Sequence, residues 1–389
     1  MSDLMSHSAV LRSLQTIVPD TVLRQEEVRD VFAAQPGLGR LATRIVNTSF
    51  NGSGIDTRYT VIDELSLESD AEDPQFFDRS NGALLSPSTK TRNEVYVREA
   101  WKLYVDVARA SVEADPDITP ADVTHLITVS CTGFHAPGPD YEIVRALGLN
   151  DNVQRYHFGF MGCYASMPAL RAASQFCAAD PDAVVLVVSV ELCTLHLRTS
   201  EDPDMIVATS LFADGAAAGL VTARSFDSSV PGFALDRFHT GIIPEGKKDM
   251  AWTIGDEGFE MILSTAVPQL IGENIFDALR PLYAPEPELA AAFDDRSIGE
   301  QVAHWAIHPG GRSILDRVEE RLQLSPEQLT PAREVLRQYG NMSSATVLFV
   351  LRRILEEEGA RDGERVAAMA FGPGLTAESA LMTVVAPRG

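Results

Sequence analysis

The chain has 389 residues and a formal net charge of −23, with 55 Asp and Glu against 32 Lys and Arg. That balance excludes unspecific nucleic-acid binding, which depends on Lys and Arg meeting phosphates, and any anionic substrate would need local positive charge. The length suits two domains or one duplicated domain. No apolar run approaches the ~20 residues of a membrane span. The start, "MSDLMSHSAVLRSLQ", lacks the basic, apolar and small-residue layout of a signal peptide, so the cytoplasm is the expected compartment.

Residues 20–110 are polar, and "FNGSGIDTRY" and "FFDRSNGALLSPSTK" read as loops between helical stretches. "NEVYVREAWKLYVDVARASVEAD" (93–115) repeats apolar residues at three and four positions, which predicts a long amphipathic helix. "VTHLITVSCTG" (123–133) is apolar and β-branched and predicts a buried strand. "DYEIVRALGL" predicts a helix, and a second helix is expected from about Cys163 to Ala179. "AVVLVVSVEL" (183–192) predicts a strand, and "LFADGAAAGLVTA" (211–223) a turn and another strand.

The second half repeats this order. "VAHWAIHPGG" (302–311) predicts a strand ending in a turn, and "RSILDRVEERL" a helix. "YGNMSSATVLFVLRRILEEEG" (339–359) is a glycine-led joint opening a helix, and "ERVAAMAFGPG" (364–374) a strand ending in a glycine-rich loop. The two copies share pattern rather than residues. They suggest two related α/β halves, 1–235 and 236–389. In this registration Cys163 and Asn341 are equivalent, each following a glycine at a helix start. His308 follows the strand that matches the one ending at Cys131.

Four cysteines need placing: Cys131, Cys163, Cys177 and Cys193. None forms a zinc-type spacing, and disulfides are disfavoured in a long cytosolic chain. A buried packing role is the default for a free cysteine, and Cys177 keeps it. Cys163 stands apart, because a helix N-terminus offers free N–H groups and positive potential that favour a thiolate. The adjacent glycine permits close approach of a substrate carbonyl. His308, before Pro-Gly-Gly, is either a capping histidine or the partner that a nucleophile needs. Asn341 is either a helix N-cap or a donor. Together the three residues can run acyl transfer. The cysteine carries the acyl chain, while histidine and asparagine donate hydrogen bonds to a thioester oxygen and stabilise an enolate.

"GCYASMPALR", "LFADGAAA", "AIHPGGRSILDRVE", "YGNMSSATVLFVL" and "FGPGLTAES" resemble, in order, the signature segments of type III polyketide synthases. These are the chalcone-synthase-like enzymes of the thiolase superfamily. The likeness runs from about residue 90 to the C-terminus, and more weakly before it. It implies a five-layered αβαβα thiolase-like fold, a homodimer, and iterative decarboxylative condensation of malonyl-CoA onto an acyl-CoA starter. The coenzyme A thioesters are substrates, and no separate cofactor or metal is implied. By position, Cys163 resembles the acyl-carrying nucleophile, with His308 and Asn341 as the decarboxylation and oxyanion pair. Phe212 and Phe259 resemble gatekeeper aromatics between a CoA tunnel and the cavity. Glu191 and Ser343 resemble polar groups of the cyclisation step, and Thr132 a substrate-binding position.

The departures from the family pattern carry information too. Plant members have several basic residues before their Ser-x-Ile stretch. Here only Arg44 lies upstream and Arg58 within it, with Arg312 as a supplementary candidate for CoA phosphates. Ala136 stands where a methionine usually reaches into the partner's cavity, and Cys193 where plant enzymes carry threonine. Both changes resemble the bacterial branch that makes alkylresorcinols and alkylpyrones from fatty acyl starters. The rival readings are a ketoacyl-ACP synthase III-like condensing enzyme and a catalytically dead scaffold relative.

Overall fold

The computed structural model describes residues 8–66, 69, 72–225, 230–356 and 359–386. Met1–His7, the first half of the stretch read for a signal peptide, lie outside them. The β-branched runs form strands at His125–Ser130, Val184–Leu192, His304–Ile307 and Arg365–Gly372. Asp214–Thr222 follows a helix at Pro203–Leu211, whose start is capped by the Asp202 side chain. Nearly every residue of these strands is buried, as strands covered on both faces require.

Nine strands join in one sheet among the described residues. The order is His304–Ile307, Arg365–Gly372, Thr376–Val385, Gly232–Ile242, Val10–Ile17, Asp214–Thr222, Val184–Leu192, His125–Ser130, Gln154–Gly159. The centre is the pairing of Val10 with Ala234. Outward from it each half reads alike: two antiparallel neighbours, then a parallel one. The duplication seen faintly in the residue pattern is thus a duplication of strand order. The junction at 235/236 falls inside Gly232–Ile242, where its pairing with Thr376–Val385 slips between Leu235 and Arg237.

Alternation along the strands decides which helix each side chain meets. Val184, Leu186 and Val188 point to one face and join Tyr96, Ala100, Leu103 and Tyr104 of the helix Thr89–Glu113. Val185 and Val187 point to the other and join the helices Ser166–Ala179 and Thr346–Glu356. These two helices form the middle layer, and Val267–Tyr283 and Arg312–Leu322 cover the far side. The result is the αβαβα stack of a thiolase-like fold. Each fully buried Leu or Val contributes about 1.5–3 kcal/mol, so the middle layer is a main source of stability.

Several expectations are corrected. "FNGSGIDTRY" runs into the strand Thr57–Thr60, paired with Thr21–Arg24, and "FFDRSNGALLSPSTK" folds into the ribbon Phe77–Asp78 and Ala83–Leu84. The helix expected from Cys163 begins at Ser166. Before it the chain makes tight turns, in which Ala165 N–H donates to the Gly162 carbonyl and Met167 N–H to that of Tyr164. Val10–Ile17, Gly232–Ile242, Thr376–Val385 and the hairpin Met250–Gly255/Gly258–Leu263 were not anticipated.

Candidate active site

Cys163 lies in the loop between the strand Gln154–Gly159 and the helix Ser166–Ala179, buried at 8% exposure. Gly162 before it has φ +84°, and a Cβ there would come within 2.7 Å of Pro373 Cδ. The glycine is therefore required twice, by conformation and by space. Pro373 belongs to the "FGPG" loop that ends the strand Arg365–Gly372. The thiol opens on a cavity of about 20 Å³ lined by Cys131, Cys193, Phe212, Met250, Trp252, Met261, Ser343 and Pro373.

The second joint converges on the same place. Gly340 has φ +70°, and Asn341 after it is pinned by backbone bonds. Its N–H donates to the Leu211 carbonyl at 2.9 Å, and its own carbonyl accepts from Ala213 N–H at 2.9 Å. Phe212 and Asn341 thereby form an isolated parallel bridge. The Asn341 side chain donates through Nδ2 to the Gly310 carbonyl at 3.3 Å and accepts at Oδ1 from Ser343 N–H at 2.9 Å. A Cβ on Gly310 would stand 3.6 Å from the imidazole of His308. The Asn341 amide thus meets the Pro-Gly-Gly turn that follows His308, and Ser343, two residues beyond Asn341, lines the Cys163 cavity.

Their electrostatics differ from the sequence expectation. Burial pushes the Cys163 thiol up to about 11, against hydrogen bonds from Ser343 and Asn341 that pull it down. The helix begins three residues later, so its N-terminal potential acts from farther away than expected. Burial likewise lowers His308 to about 3, leaving a neutral imidazole. Neither His308 ring nitrogen has a hydrogen-bond partner among the described residues, though the residue is 1% exposed. A buried, neutral, unpartnered imidazole has one N–H donor and one acceptor to offer a ligand.

Behind the cavity lies a polar network. Glu191 accepts from Cys131 N–H at 2.8 Å, from Thr132 Oγ1 at 3.1 Å and from Ser344 Oγ. Burial raises its carboxyl. Thr132 also accepts from Leu192 N–H, and Ser343, at φ +46°, sets its hydroxyl 3.3 Å from the Cys131 sulfur. Ser343 and Cys193 face the cavity; Glu191 and Thr132 stand one shell back.

Phe212 and Phe259 part company. Phe212 is a cavity wall, whereas Phe259 stacks on His196 at 4.0 Å and meets Trp252 edge-on at 5.8 Å. Met261, two residues along the same strand, lines the cavity instead. The basic candidates also separate. Arg44 is exposed on the helix Arg40–Gly52, and Arg312 is exposed beside Gly54. Arg58 is fully buried, so its guanidinium is out of reach of a phosphate in solution.

Trp252 and His196 were missed. Trp252 donates from Nε1 to the Cys131 carbonyl at 3.0 Å and forms part of the wall. His196 holds the Thr132 carbonyl through Nε2 at 2.8 Å and accepts Phe259 N–H at Nδ1, and burial lowers it to about 3. Neither sits in a pattern that separates it from a core aromatic. Among the described residues no group of three or more His, Cys, Asp or Glu gathers as metal ligands would, and no helix is long and apolar enough to cross a membrane.

Comparison with known proteins identifies the family. Residues 2–225 match the N-terminal domain of chalcone and stilbene synthases, and residues 235–386 match the C-terminal domain. Bisdemethoxycurcumin synthase of Oryza sativa subsp. japonica is 32% identical over 385 residues, covering 96% of this chain and 92% of that one. PKS-I from the brown alga Ectocarpus siliculosus superposes with a TM-score of 0.85 at 28% identity, covering 97% and 98% of the two chains. The 1,3,6,8-tetrahydroxynaphthalene synthase of Streptomyces coelicolor A3(2), a bacterial type III polyketide synthase, gives 0.81 at 28% identity, over 96% and 99%. These matches decide against the ketoacyl-ACP synthase III reading. The chain belongs to the chalcone and stilbene synthase family, the type III polyketide synthases, which condense malonyl-CoA iteratively and use CoA thioesters without a separate cofactor.

Proposed function

We propose that the protein extends a fatty acyl-CoA starter with malonyl-CoA and closes the product to an alkylpyrone or alkylresorcinol. The observation that supports the condensation chemistry is the Asn341 amide seated on the turn after the buried His308, with Ser343 beside it lining the Cys163 cavity. Cys163 sulfur attacks the starter carbonyl, CoA thiol leaves, and the acyl group rests on the enzyme as a thioester. His308 and Asn341 then donate to the thioester oxygen of malonyl-CoA. As the C–C bond to carboxylate breaks, CO2 departs and the electron pair moves into an enolate held by those donors. The enolate carbon attacks the Cys163 thioester, the C–S bond breaks with Cys163 sulfur as leaving group, and the chain, two carbons longer and now on CoA, is returned to Cys163 by the same thioester exchange for the next round. Low-dielectric surroundings strengthen both donors.

The fatty starter is supported by the wall. At about 20 Å³ the cavity holds no more than about one water, so its side chains must part for any acyl group. Apart from the Ser343 hydroxyl, the lining side chains are two methionines, an indole, a phenyl ring, a proline and cysteine thiols, which are largely apolar and, for methionine, readily repacked. Arg44 and Arg312 are the exposed cations we assign to the CoA phosphates. The protein acts in the cytoplasm as a homodimer. The exposed edge strand Gln154–Gly159 with Tyr156, near exposed Phe134 and Tyr141, supports a pairing face there.

The test is incubation with malonyl-CoA and a ladder of acyl-CoAs, with products identified by mass. Long acyl starters should win, since each buried methylene contributes about 0.8 kcal/mol. Cys193→Phe should shift the optimum to short starters while malonyl decarboxylation persists. Preference of the parent for coumaroyl-type starters would sink the alkyl reading.

A further inference from the structure

Arg58 has no polar face to the solvent. It is 0% exposed on the strand Thr57–Thr60, and its charge costs heavily to bury. Its Nη1 donates to two carbonyls, Thr209 at 2.8 Å and Phe212 at 2.7 Å. Both lie at the C-terminal end of the helix Pro203–Leu211, where carbonyls lack helical partners and a cation is favoured. The stem of Arg58 does a second job. A Cβ on Gly340 would meet Arg58 Cγ at 2.8 Å and Cδ at 3.0 Å, so the stem lies flat against the peptide preceding Asn341. On its other side the guanidinium stands 5.6 Å from the Phe50 ring. Nε and Nη2 have no hydrogen-bond partner among the described residues. A residue kept only for hydrogen bonding would not leave two buried donors unused.

Two neighbours of the reaction are thereby tied to one side chain. Phe212, whose carbonyl Arg58 holds, walls the Cys163 cavity, and Phe212 is bridged to Asn341. We propose that Arg58 is a positioning residue, a buried clamp that sets the aim of Asn341 and the place of Phe212 relative to Cys163. This rests on the reading of Asn341 as a donor to the malonyl thioester. The clamp acts on the step in which the enolate forms, because that step needs the Asn341 amide at one distance. It leaves CoA binding alone, because no atom of Arg58 reaches the surface.

A double-mutant cycle tests it on the purified full chain, with malonyl-CoA decarboxylation as readout. Arg58→Met keeps the stem volume and removes the donor. A misplacement of about 1 Å typically costs about 10² in rate, so kcat should fall by about ten- to a hundredfold, with KM for malonyl-CoA within about twofold. In the Asn341→Ala background the same change should cost less than about threefold, since a residue acting through Asn341 has nothing left to position. Equal losses in both backgrounds would overturn the proposal, and so would a raised KM at unchanged kcat, which marks a CoA-phosphate contact. Should Arg58→Met fail to fold, Arg58→Lys, which keeps charge and stem but not the fork, enters the same cycle with the same two outcomes. If Asn341→Ala alone leaves decarboxylation within about threefold of the parent, the donor reading of Asn341 fails, and the clamp with it. A cycle that is additive while Asn341→Ala is damaging fails the clamp alone.

Discussion

The joint at Cys163 and the joint at Asn341 share a plan and differ in how they are held. Each follows a glycine at positive φ and leads into a middle-layer helix. Gly162 presses on Pro373, a side chain of the neighbouring loop, and Cys163 then faces an apolar cavity. Gly340 presses on Arg58 and on the Leu211 carbonyl, and Asn341 is laced to Leu211 and Ala213 through its backbone. The nucleophile must swing between thiol, thiolate and thioester, so a soft wall suits it. The asparagine must keep one aim, and backbone bonds keep it. One duplicated element has been tuned for change in one copy and for stillness in the other.

The largest test of that contrast removes the groups themselves. Cys163→Ala should abolish polyketide formation outright, measured by product mass. Asn341→Ala and His308→Ala should each slow malonyl-CoA decarboxylation by about 10²–10³, the usual cost of one such donor. A loss below about threefold in either variant would remove that residue from the oxygen-binding role.

Smaller effects come from the glycines. Gly340→Ala meets backbone oxygen at 3.0 Å as well as the Arg58 stem, at φ +70° and ψ −160°. Gly162→Ala, also strained at φ +84°, meets the Pro373 ring at 2.7 Å but no backbone atom. Thermal unfolding should show the first costing more, with backbone strain alone worth about 1–3 kcal/mol. Equal melting points for the two variants would erase the difference in stiffness.

Smaller again is the pH dependence from His308. Its folded value of about 3 lies below the unfolded 6.5, so as pH falls below about 6.5 the unfolded chain takes up a proton that the folded chain refuses. Stability is therefore lost on acidification. Because His196 (also lowered) and Asp214, whose carboxyl burial raises to about 6, titrate nearby, the useful quantity is the parent minus His308→Ala. That difference should fall by roughly 1 kcal/mol per pH unit between 6.5 and 5 in urea unfolding. A flat difference would mean that His308 is charged or exposed in the folded state.

Much of this was readable in the residues because it was local. Apolar β-branched runs became strands within a few residues, and the glycines before Cys163 and Asn341 marked joints without any knowledge of their surroundings. What escaped was set by distant packing. Val10–Ile17 and Gly232–Ile242 mix polar and apolar residues, the first because a bulge between Arg12 and Gln15 breaks its alternation, the second because half of it is partly exposed. Arg58 read as a phosphate ligand because an arginine near a polar loop normally reaches water; its carbonyl partners lie about 150 positions away. Trp252 became a cavity wall only because its hairpin folds over Cys131. The Cys163 thiol was expected low on the strength of a helix start, and burial outweighs that potential.

The central claim is that Cys163 alone carries the growing chain within a site completed by His308 and Asn341. Intact-protein and peptide mass spectrometry after brief exposure to an acyl-CoA tests it most directly. One acyl adduct per chain, mapped to Cys163 and discharged when malonyl-CoA is added, is the predicted result. An adduct on Cys131 or Cys193, or product formation by Cys163→Ala, would contradict it.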